Sequence, residues 1–274
     1  MSECNHDCSS CSSNCSERKN PADFRKPMNK YSKIKKVIGV VSGKGGVGKS
    51  FVTCLLASKC AAAGLKVGVL DADITGPSVP KSFGIHERAR QDGECLLPAV
   101  TKSGIKMMSI NLLLEDENSP VIWRGPVISG VIEQFWTDVR WGELDYLFVD
   151  MPPGTGDVAL TVFQSLPVDG IVIVSTPQDL VKMIVSKAFN MAKMMKVPVL
   201  GLVENMSYFT CPDCGKKHAI FGNSKIDETA AEFGLPVLAK LPVDPAVNAL
   251  VDEGRVEDVD CDAIDEFVSV LKGE

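Results

Sequence analysis

Eight consecutive residues, Gly43-Lys-Gly-Gly-Val-Gly-Lys-Ser50, restrict this chain more than anything else in it. They follow G-x-x-x-x-G-K-[ST] in full. They stand between an apolar run, Val37-Ile-Gly-Val-Val41, and a helical apolar stripe over Ser50–Ala63. Strand, tight turn and helix in that order is the context a phosphate-cradling loop requires. Glycine enters positive φ without a steric penalty, so the backbone can curl until successive N–H groups aim at one anion. The helix start adds the positive end of its dipole. Lys49 is placed to neutralise β- and γ-phosphates, and the Ser50 hydroxyl to ligate Mg²⁺. The competing reading is a glycine-rich turn that binds nothing, and it leaves the strand and helix on either side unexplained.

Short apolar runs separated by helical segments recur through the rest of the chain. Strands are expected at Lys66–Leu70, Tyr146–Val149, Gly170–Val174, Val197–Val203 and Val237–Ala239, with a helix over Leu180–Met195. The pattern predicts an α/β fold of the phosphate-loop type, a mostly parallel sheet with helices on both faces. A last helix over Asp260–Leu271 puts Ala263, Ile264, Phe267, Val268 and Leu271 on one face. Residues 37–274 read as one domain. Residues 1–36 read as a flexible, cysteine-containing arm, with eight basic residues against one acidic between Arg18 and Lys36. That basic stretch suits a solvated linker better than a nucleic-acid contact.

A triphosphate site also needs carboxylates near the metal. Tyr146-Leu-Phe-Val-Asp150 is an apolar strand ending in one, and Leu70-Asp71-Ala-Asp73 supplies two more. In an open parallel sheet ligands collect at the carboxyl ends of strands, so Asp71, Asp73 and Asp150 can converge there. Asp71 reads equally well as a turn former. Met151-Pro-Pro-Gly-Thr-Gly-Asp157, stiff and then loose, follows Asp150 and suits a segment that rearranges when a phosphate leaves.

Charge and cysteine usage narrow the setting. The net charge of −6 provides no global field for nucleic acid, and no apolar run reaches membrane-spanning length. Residues 244–274 hold ten acidic and two basic residues, which an anionic leaflet would repel. Neither nucleic acid nor membrane is an expected partner, and a cytoplasmic location is expected, since Met1–Ser16 is unlike a signal peptide. Six of the ten cysteines fall in two clusters. In a reducing compartment such clusters bind metal or do redox chemistry. Cys54, Cys60, Cys95 and Cys261 read as small buried hydrophobes.

Cys211-Pro-Asp-Cys214 is a knuckle whose two thiols can face one metal, whereas zinc or a [4Fe–4S] cluster wants four ligands. A two-fold dimer makes up the shortfall by giving one pair from each subunit. Spacing does not choose between zinc and iron–sulfur. His218 is more simply an exposed residue than a ligand. Cys4, Cys8, Cys11 and Cys15 supply four thiols in one segment, with His6 nearby, spaced close to the ferredoxin-type run without matching it. A second iron–sulfur site is the favoured reading over a zinc clip or a scavenging tail. Met183, Met191, Met194 and Met195 are expected to serve core packing more than client binding.

Lys44, an extra lysine early in the loop, resembles the deviant Walker A of the MinD/ParA/nitrogenase-iron-protein group. Further motifs are Asp71-Ala-Asp-Ile-Thr-Gly-Pro-Ser78, Val121-Ile-Trp-Arg-Gly-Pro126, Val149–Asp157, Glu204-Asn-Met-Ser-Tyr-Phe209 and Leu241-Pro-Val-Asp244. With Lys44 they make residues 37–271 similar to the Mrp/ApbC/nucleotide-binding-protein family of ATP-dependent iron–sulfur cluster carriers. The resemblance implies an ATP-hydrolysing homodimer that binds a [4Fe–4S] cluster and passes it to apoproteins. It implies that Lys44 reaches the partner's nucleotide and that Lys49 and Asp73 act with it, Asp73 positioning the attacking water. Ser50, Asp71 and Asp150 are then the Mg²⁺ residues. Gly43, Gly45, Gly46, Val47 and Gly48 cradle phosphate, Asn205 reads the adenine edge, and Pro242 to Asp244 line the base. Cys211 and Cys214 hold a cluster bridging the dimer. Arg124 lies in a family motif but has no role chemistry assigns. Phe51 departs from the pattern, standing where Thr often contacts the α-phosphate. The amino-terminal cysteines depart too, being more tightly spaced than in the family's longer arms. Two further readings stand beside this one: a positioning ATPase of the MinD or ParA kind, which needs no Cys211–Cys214 pair, and a zinc-stapled nucleotide-binding scaffold.

Overall fold

A computed structural model of the chain describes residues 25–73, 78–114, 125–154, 156–178 and 181–272. The elements in order are β1 (Lys33–Ser42), α1 (Lys49–Ala62), β2 (Val67–Asp71), α2 (Val79–Ser82), β3 (Arg90–Asp92) and β4 (Cys95–Leu97). Next come β5 (Ala99–Val100), β6 (Lys106–Met108), α3 (Gly125–Thr137), β7 (Glu143–Asp150), α4 (Asp157–Ser165), β8 (Gly170–Ser175) and α5 (Val181–Met195). The chain closes with β9 (Val199–Thr210), β10 (Lys217–His218), α6 (Ile226–Phe233), β11 (Val237–Val243), α7 (Pro245–Asp252) and α8 (Asp265–Lys272).

Among the described residues nine strands form the main sheet, in the order β10-β9-β8-β1-β7-β2-β6-β5, with β11 also paired to β9. Only the two short edge pairings, β10 on β9 and β5 on β6, are antiparallel. The expected parallel α/β architecture is therefore the observed one. Alternation along each strand divides its apolar residues between two cores. Val37, Val41, Ile171 and Ile173 pack with α3, α4, α5 and α6 on one face. Ile38, Val40, Val172 and Val174 pack with α1 and α8 on the other. With both faces covered, an unbroken apolar run such as residues 37–41 is what the pleat demands.

Connectivity puts the site at the centre. From β1 the chain crosses by α1 to β2, leaving a gap that β7 fills, and then passes by α4 to β8 on the far side of β1. The segments leaving β1, β2, β7 and β8 thus meet at one edge, where chain order reverses across the sheet.

Several expectations shift in detail. β1 begins at Lys33 rather than Val37, and the segment before it is packed. Lys26 O accepts from Trp136 Nε1 at 3.0 Å, and Asn29 Nδ2 donates to Thr137 O at 3.1 Å. The terminal helical face starts as a 3₁₀ turn over Asp262–Ile264, leaving Ala263 exposed while Ile264, Phe267 and Val268 are buried. The methionine face divides, with Met191 buried and Met183 and Met194 exposed. Cys54, Cys60 and Cys95 are buried and Cys261 half-buried, and burial pushes the Cys60 thiol up to about 12.

Candidate functional site

Residues 43–48 leave the carboxyl end of β1 and turn directly into α1. Gly46 and Gly48 hold φ of +77° and +80°, the left-handed region that side chains avoid. Gly43 is fixed by packing instead, since a Cβ there would lie 2.4 Å from Ile184 Cγ2 on α5. Asn205, at 4% exposure, covers the loop, and its Nδ2 donates to Val47 O at 3.0 Å. The side chain expected to read a base edge is therefore held against the loop backbone.

Below the loop lies a buried cluster of charge. Lys49 Nζ sits 2.8 Å from Asp150 Oδ1 and 3.3 Å from Asp73 Oδ2. Ser50 Oγ donates to the other Asp150 oxygen at 2.6 Å. The Thr53 hydroxyl, one helical turn after Lys49, is shared between Lys49 O at 3.0 Å and Asp150 Oδ1 at 2.9 Å. Asp71 stands beside Asp150 on the neighbouring strand, with Oδ2 accepting from Ser109 Oγ at 2.9 Å and Oδ1 from the Asp73 N–H at 3.1 Å. Burial, and then the Asp150 charge, push the Asp71 carboxyl well above the ordinary range. Burial raises Asp150 as well, against the pull of Lys49, Ser50 and Thr53. For Lys49 burial opposes the cation, but Asp150 and Asp73 outweigh it and hold the ammonium pKa above its usual value. Two carboxylates and a hydroxyl around a fixed ammonium, beneath a cradle of N–H groups, suit a polyanion accompanied by a divalent cation.

Lys44 donates to Gln178 in the segment after β8, and Ser42 Oγ donates to Lys44 O at 2.9 Å. Pro242 and Asp244 line a separate cavity with Phe51 and Tyr208, and the Asp244 carboxylate caps α7 through the Ala246 N–H at 2.8 Å. Thr53, Ser109 and Gln178 were not foreseen. Thr53 had a signal in its spacing, four residues after Lys49 on the same helical face. Ser109 had none, because only the pairing of β6 with β2 brings it to Asp71.

The cysteine knuckle lies in the β9–β10 connection. Cys211 N donates to Lys216 O and Gly215 N to Cys211 O, both at 2.9 Å, closing the turn. Cys211 is half-buried and Cys214 exposed. Backbone N–H groups of Cys214 and Asp213, followed by the Cys214 side chain, lower the Cys211 pKa and favour the ligating thiolate. Among the described residues no group of three or more His, Cys, Asp or Glu is placed to hold a metal. His218 is exposed on β10. Cys4, His6, Cys8, Cys11, Cys15 and Arg124 lie outside the described residues. No described helix is long and apolar enough to cross a membrane.

A glycine-curled loop between a central parallel strand and a helix, over a lysine–aspartate–serine cluster, defines a P-loop nucleoside triphosphatase. The chain belongs to the NUBPL iron-transfer P-loop NTPase family, whose model matches residues 33–272. Among curated relatives it is 51% identical over 236 residues to an iron–sulfur cluster carrier protein of Clostridium perfringens, covering 83% of each chain. To one of Methanocaldococcus jannaschii it is 46% identical over 282 residues, covering 99% of this chain and 96% of the relative. Among solved structures, the nucleotide-binding protein of Archaeoglobus fulgidus in complex with ADP and with cobalt superposes with a TM-score of 0.76. It shares 47% identity, and the match covers 84% of this chain and 90% of that one.

Proposed function

We propose that this chain is an ATP-hydrolysing carrier that holds a [4Fe–4S] cluster between two subunits and delivers it to apoproteins. The observation that carries the reading is the presence in one chain of a buried phosphate-loop cluster and a two-thiol knuckle. The buried Lys49–Asp150–Ser50 cluster supports ATP with Mg²⁺. The Cys211–Cys214 knuckle offers two sulfurs where a cluster needs four. Relatives matched over nearly their whole length and named as iron–sulfur cluster carriers support the cargo.

In this reading Ser50 ligates the metal, with Asp150 and Asp71 behind it, and the ion supplies charge neutralisation along the phosphates when bound. Asp73, 3.3 Å from Lys49, is the group proposed to orient the attacking water. Lys44 swings from Gln178 to the partner's nucleotide, stabilising charge as it develops. ATP and cluster need not touch. If two arrangements of the dimer hold the cluster with different affinity, nucleotide state shifts cargo affinity by linkage. Exposed thiols require a reducing compartment, so the cytoplasm is the proposed location. Cys4, Cys8, Cys11 and Cys15, ahead of the packed segment and β1, are proposed to carry a second cluster.

Anaerobic reconstitution with iron and sulfide tests the cargo. Wild type should take on colour and iron, Cys211→Ala/Cys214→Ala should lose the bridging cluster, and deletion of residues 1–24 should remove a separate complement. Lys49→Ala should abolish phosphate release while leaving reconstitution intact. A colourless wild type carrying stoichiometric zinc that refuses iron would sink the cargo assignment.

A further inference from the structure

Phe51 stands immediately after the loop serine, on the first turn of α1, where a threonine would offer a hydroxyl to phosphate. A phenyl ring cannot make that hydrogen bond. Its ring instead forms one wall of a cavity of about 250 Å³, whose other walls include Tyr208, Pro242, Val247 and Cys261. Tyr208 is paired in register with Pro242 near the carboxyl ends of β9 and β11. The cavity therefore opens on the same edge of the sheet as the loop, across the first turn of α1.

Its chemistry selects for one end of a nucleotide. Among the described residues none of its lining is basic, and it includes Asp244, which caps α7, Asp260, which lies 3.5 Å from Lys59, and Asp262. A phosphate would be repelled there, whereas a flat, neutral, nitrogen-bearing ring is accepted by two aromatic walls and a proline. Phosphates belong at the N–H cradle beneath which Lys49 sits, and the base belongs here. Phe51, two residues from Lys49, is the side chain common to both regions.

We propose that Phe51 is a specificity-determining residue that holds the purine ring of the bound nucleotide against the Tyr208–Pro242 wall. It thereby replaces an α-phosphate hydrogen bond by aromatic contact with the base. This inference rests on the nucleotide-binding reading above and deepens it. Loss of one base–aromatic contact of this kind weakens binding of a base-bearing ligand about tenfold.

The test compares the affinity of the full-length protein for ATP and for ribose 5-triphosphate, which has the same phosphates and sugar but no base. In the wild type ATP binds more tightly. In Phe51→Ala that preference shrinks about tenfold while affinity for ribose 5-triphosphate is unchanged. Phe51→Leu, which keeps apolar bulk and spares the core, shows the same shrinkage with an unaltered circular dichroism spectrum. Equal losses for both ligands, or an undiminished preference in both variants, would overturn the proposal. A Lys49→Ala protein that still binds both ligands as the wild type does would overturn the phosphate-loop reading itself, whatever Phe51 does.

Discussion

Asp150 accepts three hydrogen bonds from three different side chains, and each comes from α1. Lys49 and Thr53 share Oδ1 while Ser50 takes Oδ2. A carboxylate with no exposed surface survives only if such partners repay its desolvation. Thr53 is the partner with no role in ligand binding, which makes it the cleanest probe of how the cluster is held. Thr53→Val deletes the hydroxyl at nearly constant volume and leaves the Asp150 oxygen with Lys49 alone. Stability should fall by about 1–2 kcal/mol in urea denaturation, with phosphate release slowed several-fold, and Thr53→Ser should restore both. If Val at 53 changes neither, Asp150 is held by Lys49 and Ser50 without help. The loop, Lys49, Ser50 and Asp150 were legible because their spacing is dictated by ligand chemistry along a single stretch of chain. Ser109 and Gln178 were not, since each acts through a partner that only strand order brings near. Asn205, which the resemblance sets at a base edge, has its amide on Val47 O, a contact that no spacing in the sequence states.

At the level of elements, the strands covered on both faces were readable from unbroken apolar runs, and their ends were not. Polar residues at a strand's beginning look like linker until their hydrogen bonds are seen. Lys33–Lys36 reads as a basic arm, yet it is the first part of β1, tied to β7 by register from Lys33 to Glu143. The short elements β3 to β6 lack the length for any period to show. Asp145 illustrates how the ends are joined. Its Oδ2 accepts the Lys66 N–H at 2.8 Å where β2 begins, and its Oδ1 lies 2.7 Å from Lys35 Nζ in β1. The Lys35 side chain, and then the Lys66 N–H, lower the Asp145 pKa below its ordinary 3.8. A depressed carboxyl pKa means that the unfolded chain binds the proton more tightly, so stability rises with pH through that window. The contribution is fully present above the unfolded value and is lost as acid takes the pH down through the lower folded one. Asp145→Asn should therefore cost about 1 kcal/mol at neutral pH, after allowance for screening at this partly exposed pair, and almost nothing once the pH has fallen below the lowered folded value. Denaturant midpoints of both proteins across that range check it. A difference that persists undiminished in acid would show that packing, not charge, makes the contact.

For the whole molecule, the sheet edge that gathers the loop residues does not gather the sulfurs. The knuckle follows β9, and its pair brings two sulfurs where the proposed cluster needs four. No pattern within one sequence states how two copies meet, so the proposed dimer rests on the family resemblance and on an arithmetic need for ligands. That arithmetic can be measured. Suppose wild type and Cys211→Ala/Cys214→Ala chains lacking residues 1–24 are mixed in equal amounts, unfolded, refolded together and reconstituted. A site built from one pair per subunit is complete only when both partners are wild type, so retained iron follows the square of the wild-type fraction and falls to about a quarter. A site completed within each chain follows the fraction itself and falls to about half. Varying the ratio separates a curve from a line, and removal of the arm keeps its own cysteines from blurring the count. The curved dependence is the expected result. It should survive with ATP present even if the iron held per dimer changes, because linkage alters affinity and not the number of sulfurs each chain brings.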